Sequence, residues 1–390
     1  MKMKNKLILI IITILFSLIT SGCWDSIELK NREIISAIGI DKGEEKEKIS
    51  LTFQSIIPHR LGTPMKSESE QKSMVHVISV NGDSVSNALM SFRLQLSKSV
   101  YLHSNKVIVI GEDLAREGLS SVLDFFLRYD ESRSRALVVV SKDKASDILN
   151  WNSEDVSIPS DYILDLITST NKISPVPKVD MHTLKLKLFS KTTSPLITCV
   201  EIVPQKIGPP HIKYTGAGVF DKDKLVGWLN VKETEAFLWI TNETDRGFIE
   251  AFFPANENKN VTLRVTNIKT KIYPQIDDNN ITISLDINDE GSLVEKDSKE
   301  DINSPDAIKA IEKSLNEKIK KDIEACLQKA QKEYKADIFG FGEAVHRKHP
   351  GKWKELEGKW KELYPNVKVN VNVHTKIRGT GLIIDSFKKQ

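Results

Sequence analysis

Cys23 is the side chain with the plainest chemistry in this sequence. It follows Ile19–Thr20–Ser21–Gly22, and ahead of it Leu7 to Ile19 is an apolar run broken by Thr13 and Ser17. Lys2, Lys4 and Lys6 precede that run. A basic start, a short apolar segment and small residues before one cysteine make an export signal ending in a lipoprotein cleavage site. The run is shorter than the roughly 20 residues that span a bilayer. Cleavage before Cys23 would leave its thiol to carry a diacylglyceryl group, and two or more acyl chains anchor a protein stably. Thr20 stands where such signals usually carry an aliphatic residue. The expectation is a body tethered outside a bacterial cytoplasmic membrane. An ordinary cleaved signal with a chance cysteine is the plainer alternative.

Other groups that could do chemistry lack companions. His346 and His349 stand at i, i+3, a spacing that can hold a metal on a helix. Arg347 and Lys348 lie between them, and no Glu, Asp or Cys nearby completes a zinc set by sequence. Ser141-x-x-Lys144 matches one piece of a serine-acyltransferase signature without the others. Gly340–Phe341–Gly342 lacks the third glycine and the preceding strand of a dinucleotide loop. Gly216–Ala217–Gly218 reads better as a close backbone approach inside a strand. No catalytic, cofactor or metal set is expected, which favours binding or assembly over catalysis. Two clusters remain. One is Arg128–Tyr129–Asp130–Glu131–Ser132–Arg133, a charged turn by its plainest reading and a partner contact by its sharper one. The other runs from Asp337, Phe339 and Phe341 through Trp353, Trp360 and Tyr364. Aromatics at this density bury large areas, so the plain reading is core.

Three of the 56 basic residues lie in the signal and none of the 53 acids does, so the remainder is formally neutral. The net charge of +3 is therefore no argument for nucleic acid. Besides Cys23 only Cys199 and Cys326 occur, far apart, and they read as buried free thiols. After the signal about 365 residues remain, enough for two or three domains.

These groups must be held by regular elements. Residues 23–33 read as a short stalk behind the lipid. Ile34–Asp41 and Ile49–Ile57 predict a hairpin, and His59–Lys72 a loop. Val75–Val80, Val107–Ile110 and Leu137–Val140 are apolar strands separated by amphipathic stretches. Asp83 is the expected cap of the first helix, whose face holds Val85, Leu89, Phe92 and Leu96. A single helix is expected over Leu114–Leu127, and a short one over Ser146–Trp151. Apolar strands between amphipathic helices predict a helix-covered sheet, an α/β domain over residues 34–173. Six of the 14 prolines fall between Pro175 and Pro210, which predicts a connector over 174–213. Residues 214–390 read as α+β, with a possible subdomain at 214–255. Gly216–Phe220 and Leu225–Leu229 predict a second hairpin, and Lys232–Ile240 a helix. Strands alternating apolar and polar residues follow at Val261–Thr266, Ile281–Ile287 and Val367–Val373. Ser304–Pro305 opens a helix whose stripe runs through Ile308, Ile311, Leu315, Ile319, Ile323, Leu327, Ala330 and Tyr334. An antiparallel-rich sheet packed on that long helix is the expected second half.

Taken in order, these residues resemble the Ger(x)C family, the lipoprotein C subunits of spore germinant receptors. The resemblance rests on Cys23–Trp24–Asp25 with Glu28, on Gly39–Ile40–Asp41, on His103 and on Lys106–Glu112. It continues through Leu114–Gly118, Asp124–Phe126, Arg128 and Glu131–Ser132–Arg133. In the second half it includes Gly216–Phe220, Gly227–Leu229, Asp337–Gly342, Trp353, Trp360 and Gly379–Thr380–Gly381. The resemblance implies a non-enzymatic subunit on the outer surface of the spore inner membrane, lipidated at Cys23 and without another cofactor. Its partners would be two integral membrane receptor subunits, A and B type, and the bilayer. It also implies a three-domain body. Trp24, Asp25, Arg128, Arg133, Asp337, Phe339, Phe341, Trp353 and Trp360 are the structural or interaction candidates. Two other readings compete. A solute-binding lipoprotein of a nutrient transporter predicts two matched lobes around a cleft. A lipid-anchored envelope enzyme predicts single His or Asp residues essential to function but not to folding.

Overall fold

The computed structural model describes residues 28–379 apart from 45–47, 59–73, 154–155, 170–174, 254–255, 278–279 and 297–303, together with Met3 and Lys6. Cys23, Trp24, Asp25 and the loop expected over His59–Lys72 lie outside the described residues.

The first region is built on β1 (Arg32–Lys42), β2 (Ile49–Ile56), β3 (Val75–Gly82), α1 (Val85–Arg93), β4 (Ser99–Tyr101), β5 (Val107–Gly111), α2 (Glu112–Glu117), α3 (Ser120–Arg128) and β6 (Leu137–Ser141). It continues through α4 (Ala145–Asn150), α5 (Pro159–Ser169), α6 (Met181–Phe189), β7 (Leu196–Val203), β8 (His211–Asp221) and β9 (Lys224–Leu229). All nine strands form one sheet in the order β3-β2-β1-β5-β6-β7-β8-β9, with β4 beside the start of β1. β1, β5, β6 and β7 are mutually parallel, and the flanking hairpins are antiparallel. Ile108 and Ile110 pack with α1, α2, α3 and α6, while Val107 and Val109 pack with α4 and α5. Strands buried on both faces need no polar alternation, which is why these segments read as continuous apolar runs.

Three local expectations are corrected here. Ser84, not Asp83, caps α1: its hydroxyl accepts from the Asn87 N–H at 3.2 Å. The helix expected over Leu114–Leu127 is two helices, because Gly118 at φ 134° turns the chain between them. The 174–213 stretch is not a plain connector. It carries α6 and β7, and the sheet runs through it to β9. Its prolines punctuate element ends: Pro195 directly precedes β7, and Pro209–Pro210 precede β8. A proline there removes no ladder hydrogen bond from a central strand.

The second region holds α7 (Val231–Ile240), β10 (Gly247–Phe253), β11 (Asn256–Asp277), β12 (Asn280–Lys296), α8 (Pro305–Gln328), α9 (Phe341–Lys348), α10 (Pro350–Leu356), α11 (Trp360–Leu363) and β13 (Lys368–Gly379). The sheet order is β10-β11-β12-β13, antiparallel but for β13, which runs parallel to β12. The crossover through α8 imposes that direction. Ser304 caps α8 and Pro305 occupies its first turn. Ile311, Leu315, Ile319, Ile323 and Leu327 are buried along one stripe. The regular helix ends at Gln328, and a π-helical turn, Lys329–Glu333, continues it. Cys199 and Cys326 are separate buried thiols, and burial pushes Cys199 up to about 12. Among the described residues no helix is long and apolar enough to cross a membrane.

Candidate interaction site

The chain after α8 must turn back over the small sheet, and Asp337–Ile338–Phe339–Gly340–Phe341–Gly342 makes that turn. Gly340 adopts φ 72°, a left-handed conformation that side chains with a Cβ rarely take. Asp337 is buried and acts as the hub. One carboxylate oxygen accepts from the Phe341 N–H at 3.1 Å. The other accepts from the Gly342 N–H at 2.8 Å and the Trp360 indole at 3.1 Å. Its backbone carbonyl accepts from Ser194 at 2.8 Å, tying the turn to the strap before β7. Burial pushes the Asp337 carboxyl up to about 6 against the pull of these donors. A Cβ on Gly342 would lie 2.7 Å from the Trp360 indole nitrogen, so only glycine lets the ring close on the hub.

Around this hub the aromatics form a continuous chain. Phe237, Phe339 and Phe341 follow at ring separations of 6.1 and 5.1 Å. Phe341 meets Tyr364 at 6.5 Å, Tyr364 meets Trp360 at 6.1 Å, and Trp360 meets Trp353 at 5.4 Å. All of these rings are buried. Five of the sequence candidates, Asp337, Phe339, Phe341, Trp353 and Trp360, therefore meet in one cluster whose evident work is to hold the helices α9 to α11 on the core.

The other two described candidates lie elsewhere. Arg128 is exposed at the end of α3, where it pairs with Asp124 one turn back at 2.8 Å. Arg133 is exposed in the following turn. Inside that turn Arg93 donates to the Tyr129 hydroxyl at 2.7 Å and lies 3.4 Å from Glu131. Gly39–Ile40–Asp41 also has a local reason. The Asp41 carboxylate accepts from Ala145 and Ser146 at 2.7 and 2.9 Å and so caps α4. Gly39 admits Leu149 and Ala145 of the same helix.

Sequence reasoning missed a groove beside the aromatic hub. About 750 Å³ lies between α3, the end of α6, the β8–β9 turn and the α10–α11 segment. Leu123, Leu127, Leu188, Trp360 and Tyr364 supply apolar wall, and Lys187, Lys191, Lys222, Lys335 and Lys361 line it too. Its Asp337, Trp360 and Tyr364 were legible as members of the aromatic cluster, and Leu123 and Leu127 as part of a helix face. The rest comes from surface lysines and helix ends that no spacing singles out. Among the described residues no group of three or more His, Cys, Asp or Glu is placed to hold a metal.

Comparison with known proteins gives this architecture a lineage. Residues 25–202 match the family model described as spore germination protein N-terminal domain. Residues 215–381 match spore germination B3/GerAC like, C-terminal. Spore germination protein KC of Bacillus subtilis (strain 168) is 30% identical over 406 residues, covering 100% of this chain and 99% of that protein. Spore germination protein B3 of the same organism is 23% identical, covering 93% and 95%. The crystal structure of the GerBC protein matches the fold with a TM-score of 0.59 at 23% identity, over 87% of this chain and 96% of that one. The chain belongs to the GerAC-like family of spore germination proteins, the Ger(x)C family that its sequence resembles.

Proposed function

We propose that this chain is a lipid-anchored, non-enzymatic subunit of a nutrient germinant receptor, held through Cys23 at the outer surface of the spore inner membrane. It assembles there with two integral membrane subunits and supports the signal that starts germination. The full-length likeness to spore germination protein KC carries the reading. The basic, apolar and small-residue order ahead of Cys23 supports the anchor. The neutral remainder of the chain gives no electrostatic reason for nucleic-acid binding. The two regions differ in architecture, a helix-covered nine-stranded sheet and a four-stranded sheet under one long helix, which argues against the matched lobes of a solute-binding lipoprotein.

Cys23→Ala tests the anchor. The expected result is loss of the chain from the spore membrane fraction together with weakened nutrient germination. Full germination by spores whose variant chain is unlipidated and released would contradict an anchored role.

A further inference from the structure

The two ends of the large sheet differ in charge. β1, β3, β4, β5, β6 and β7 all start at one end. The segments gathered there are 28–33, 93–106, 128–136, 190–195 and 221–224. At the other end lie 41–44, 48, 82–84, 111–118, 141–147 and 203–211. Some charges are paired with groups outside these segments: Lys106 with Asp161, Arg128 with Asp124, Lys191 with Glu357, Asp221 with Lys361 and, at the other end, Lys142 with Glu201. Apart from these, the start end carries eight bases to five acids, and the other end five bases to eight acids. The sheet is positive where β1 begins and negative where it finishes.

Contacts join the first three segments of the start end into one surface. Arg93, the last residue of α1, lies 3.4 Å from Glu131. Lys98 reaches Glu33 at 3.8 Å, and the Arg32 guanidinium lies 4.5 Å over the Tyr101 ring. Arg133 and Arg135, in the same turn as Glu131, are exposed and have no acid partner among the described residues. Two leucines stand out beside these cations: Leu94, 82% exposed at the end of α1, and Leu29, 66% exposed just ahead of β1. Exposed leucines among cations suit the layer between anionic headgroups and acyl chains. Chain length says what faces them. The five steps from Cys23 to Glu28 reach about 18 Å at full extension. β1 then carries the chain about 33 Å from Arg32 to Lys42. A lipid on Cys23 therefore holds the positive end near the bilayer and keeps the negative end off it.

We infer that the start end of the large sheet docks on an anionic lipid surface, with Leu29 and Leu94 entering the headgroup layer and Arg133 and Arg135 meeting its charge. This rests on the Cys23 anchor of the proposed function and adds an orientation to it.

The three cores close within the described residues, so the chain from Trp24 onward can be tested without its leader. A hexahistidine tag ahead of Trp24 would hold it on vesicles that contain a nickel-chelating lipid. That tether reads docking whether or not Cys23 is lipidated in the spore, which the Cys23→Ala spores test separately. Cys199 and Cys326 are buried, so a polarity-sensitive dye can be placed on Leu94→Cys alone. With phosphatidylglycerol in the vesicles, this dye is expected to shift to the blue and to be quenched by spin-labelled lipid. Ile207→Cys carries the control dye: Ile207 is 90% exposed in the β7–β8 turn at the other end, and its dye is expected to stay in water. The untagged chain should bind phosphatidylglycerol vesicles more tightly than phosphatidylcholine ones, by a margin that shrinks as salt rises. Arg133→Gln with Arg135→Gln should weaken that binding about tenfold at an unchanged melting temperature. A Leu94 dye that stays in water on tethered phosphatidylglycerol vesicles would overturn the assignment and return this end to a protein partner. Lipid contact at Ile207 in its place, or undiminished phosphatidylglycerol binding by the folded double variant, would overturn it too.

Discussion

In the large sheet Val107 and Val109 face one helical layer while Ile108 and Ile110 face the other. In the small sheet Leu263 and Val265 enter the core under α8, while Arg264 and Thr266, which alternate with them, face water. The first arrangement buries strands on both sides and leaves little place for charge. Its one fully buried carboxylate among the described residues, Asp41, caps a helix. The second arrangement encloses two, Asp289 and Asp337, and pushes a third acid, Glu235, up to about 7. Burying a carboxylate is costly unless donors surround it. The small-sheet region thus keeps polar groups where they fix geometry, and it is the part of the molecule that should respond to pH and to loss of single polar atoms.

The largest effect that would sharpen this contrast is Asp337→Ala. Two backbone N–H groups and the buried Trp360 indole would lose their acceptor. Denaturant unfolding should show a loss of about 3 kcal/mol or more. A loss below 1 kcal/mol would remove Asp337 from the centre of the cluster. Leu315→Ala, on the fully buried face of α8, should cost about 2–5 kcal/mol by leaving a cavity. If its unfolding transition separates from that of the large sheet, the two regions melt independently.

The pH contrast gives a smaller and more selective effect. Burial pushes Asp289 up to about 7, with the Thr375 hydroxyl donating to it at 2.9 Å. Its ordinary value is 3.8, so the folded chain holds this proton more tightly than the unfolded chain. The contribution is fully present below the unfolded value and fades as pH rises through the folded one. Stability should therefore fall by about 2 kcal/mol between pH 5 and 7 from this group. Asp289→Asn, whose amide oxygen still accepts from Thr375, should flatten that slope. An unchanged slope would place the titration elsewhere. The smallest expected effect is Arg128→Ala. The side chain is exposed and its pair with Asp124 is a surface one, so stability should shift by no more than about 0.5 kcal/mol. Impaired germination with unchanged stability would then mark this turn as a partner contact.

The sequence made the contrast legible where patterning is strict. Alternation at Val261–Thr266 marked the half-wet sheet, Ser304–Pro305 marked the start of α8, and the unbroken Val107–Ile110 marked a strand covered on both sides. The extent of the large sheet was not legible, because clustered prolines mark strand ends as readily as linkers, and Pro195 and Pro209–Pro210 do the former. The direction of β13 was hidden too. Alternation is the same in parallel and antiparallel pairs, and only the crossover through α8 decides it. At the site, the aromatic spacing announced a buried cluster but not its hub. Asp337 matters through three donors that the turn at Gly340 brings to it. The groove lysines carried no signal at all, since pairing is a property of the fold.

The measurement that tests the central reading most directly is deletion of this gene, followed by germination of purified spores, read as loss of refractility across a panel of nutrients. The account predicts loss of response to one nutrient class, with a normal response to a trigger that bypasses receptors and with restoration by the intact gene. Normal germination to every nutrient, in spores that lack every sister receptor of the same family, would contradict it.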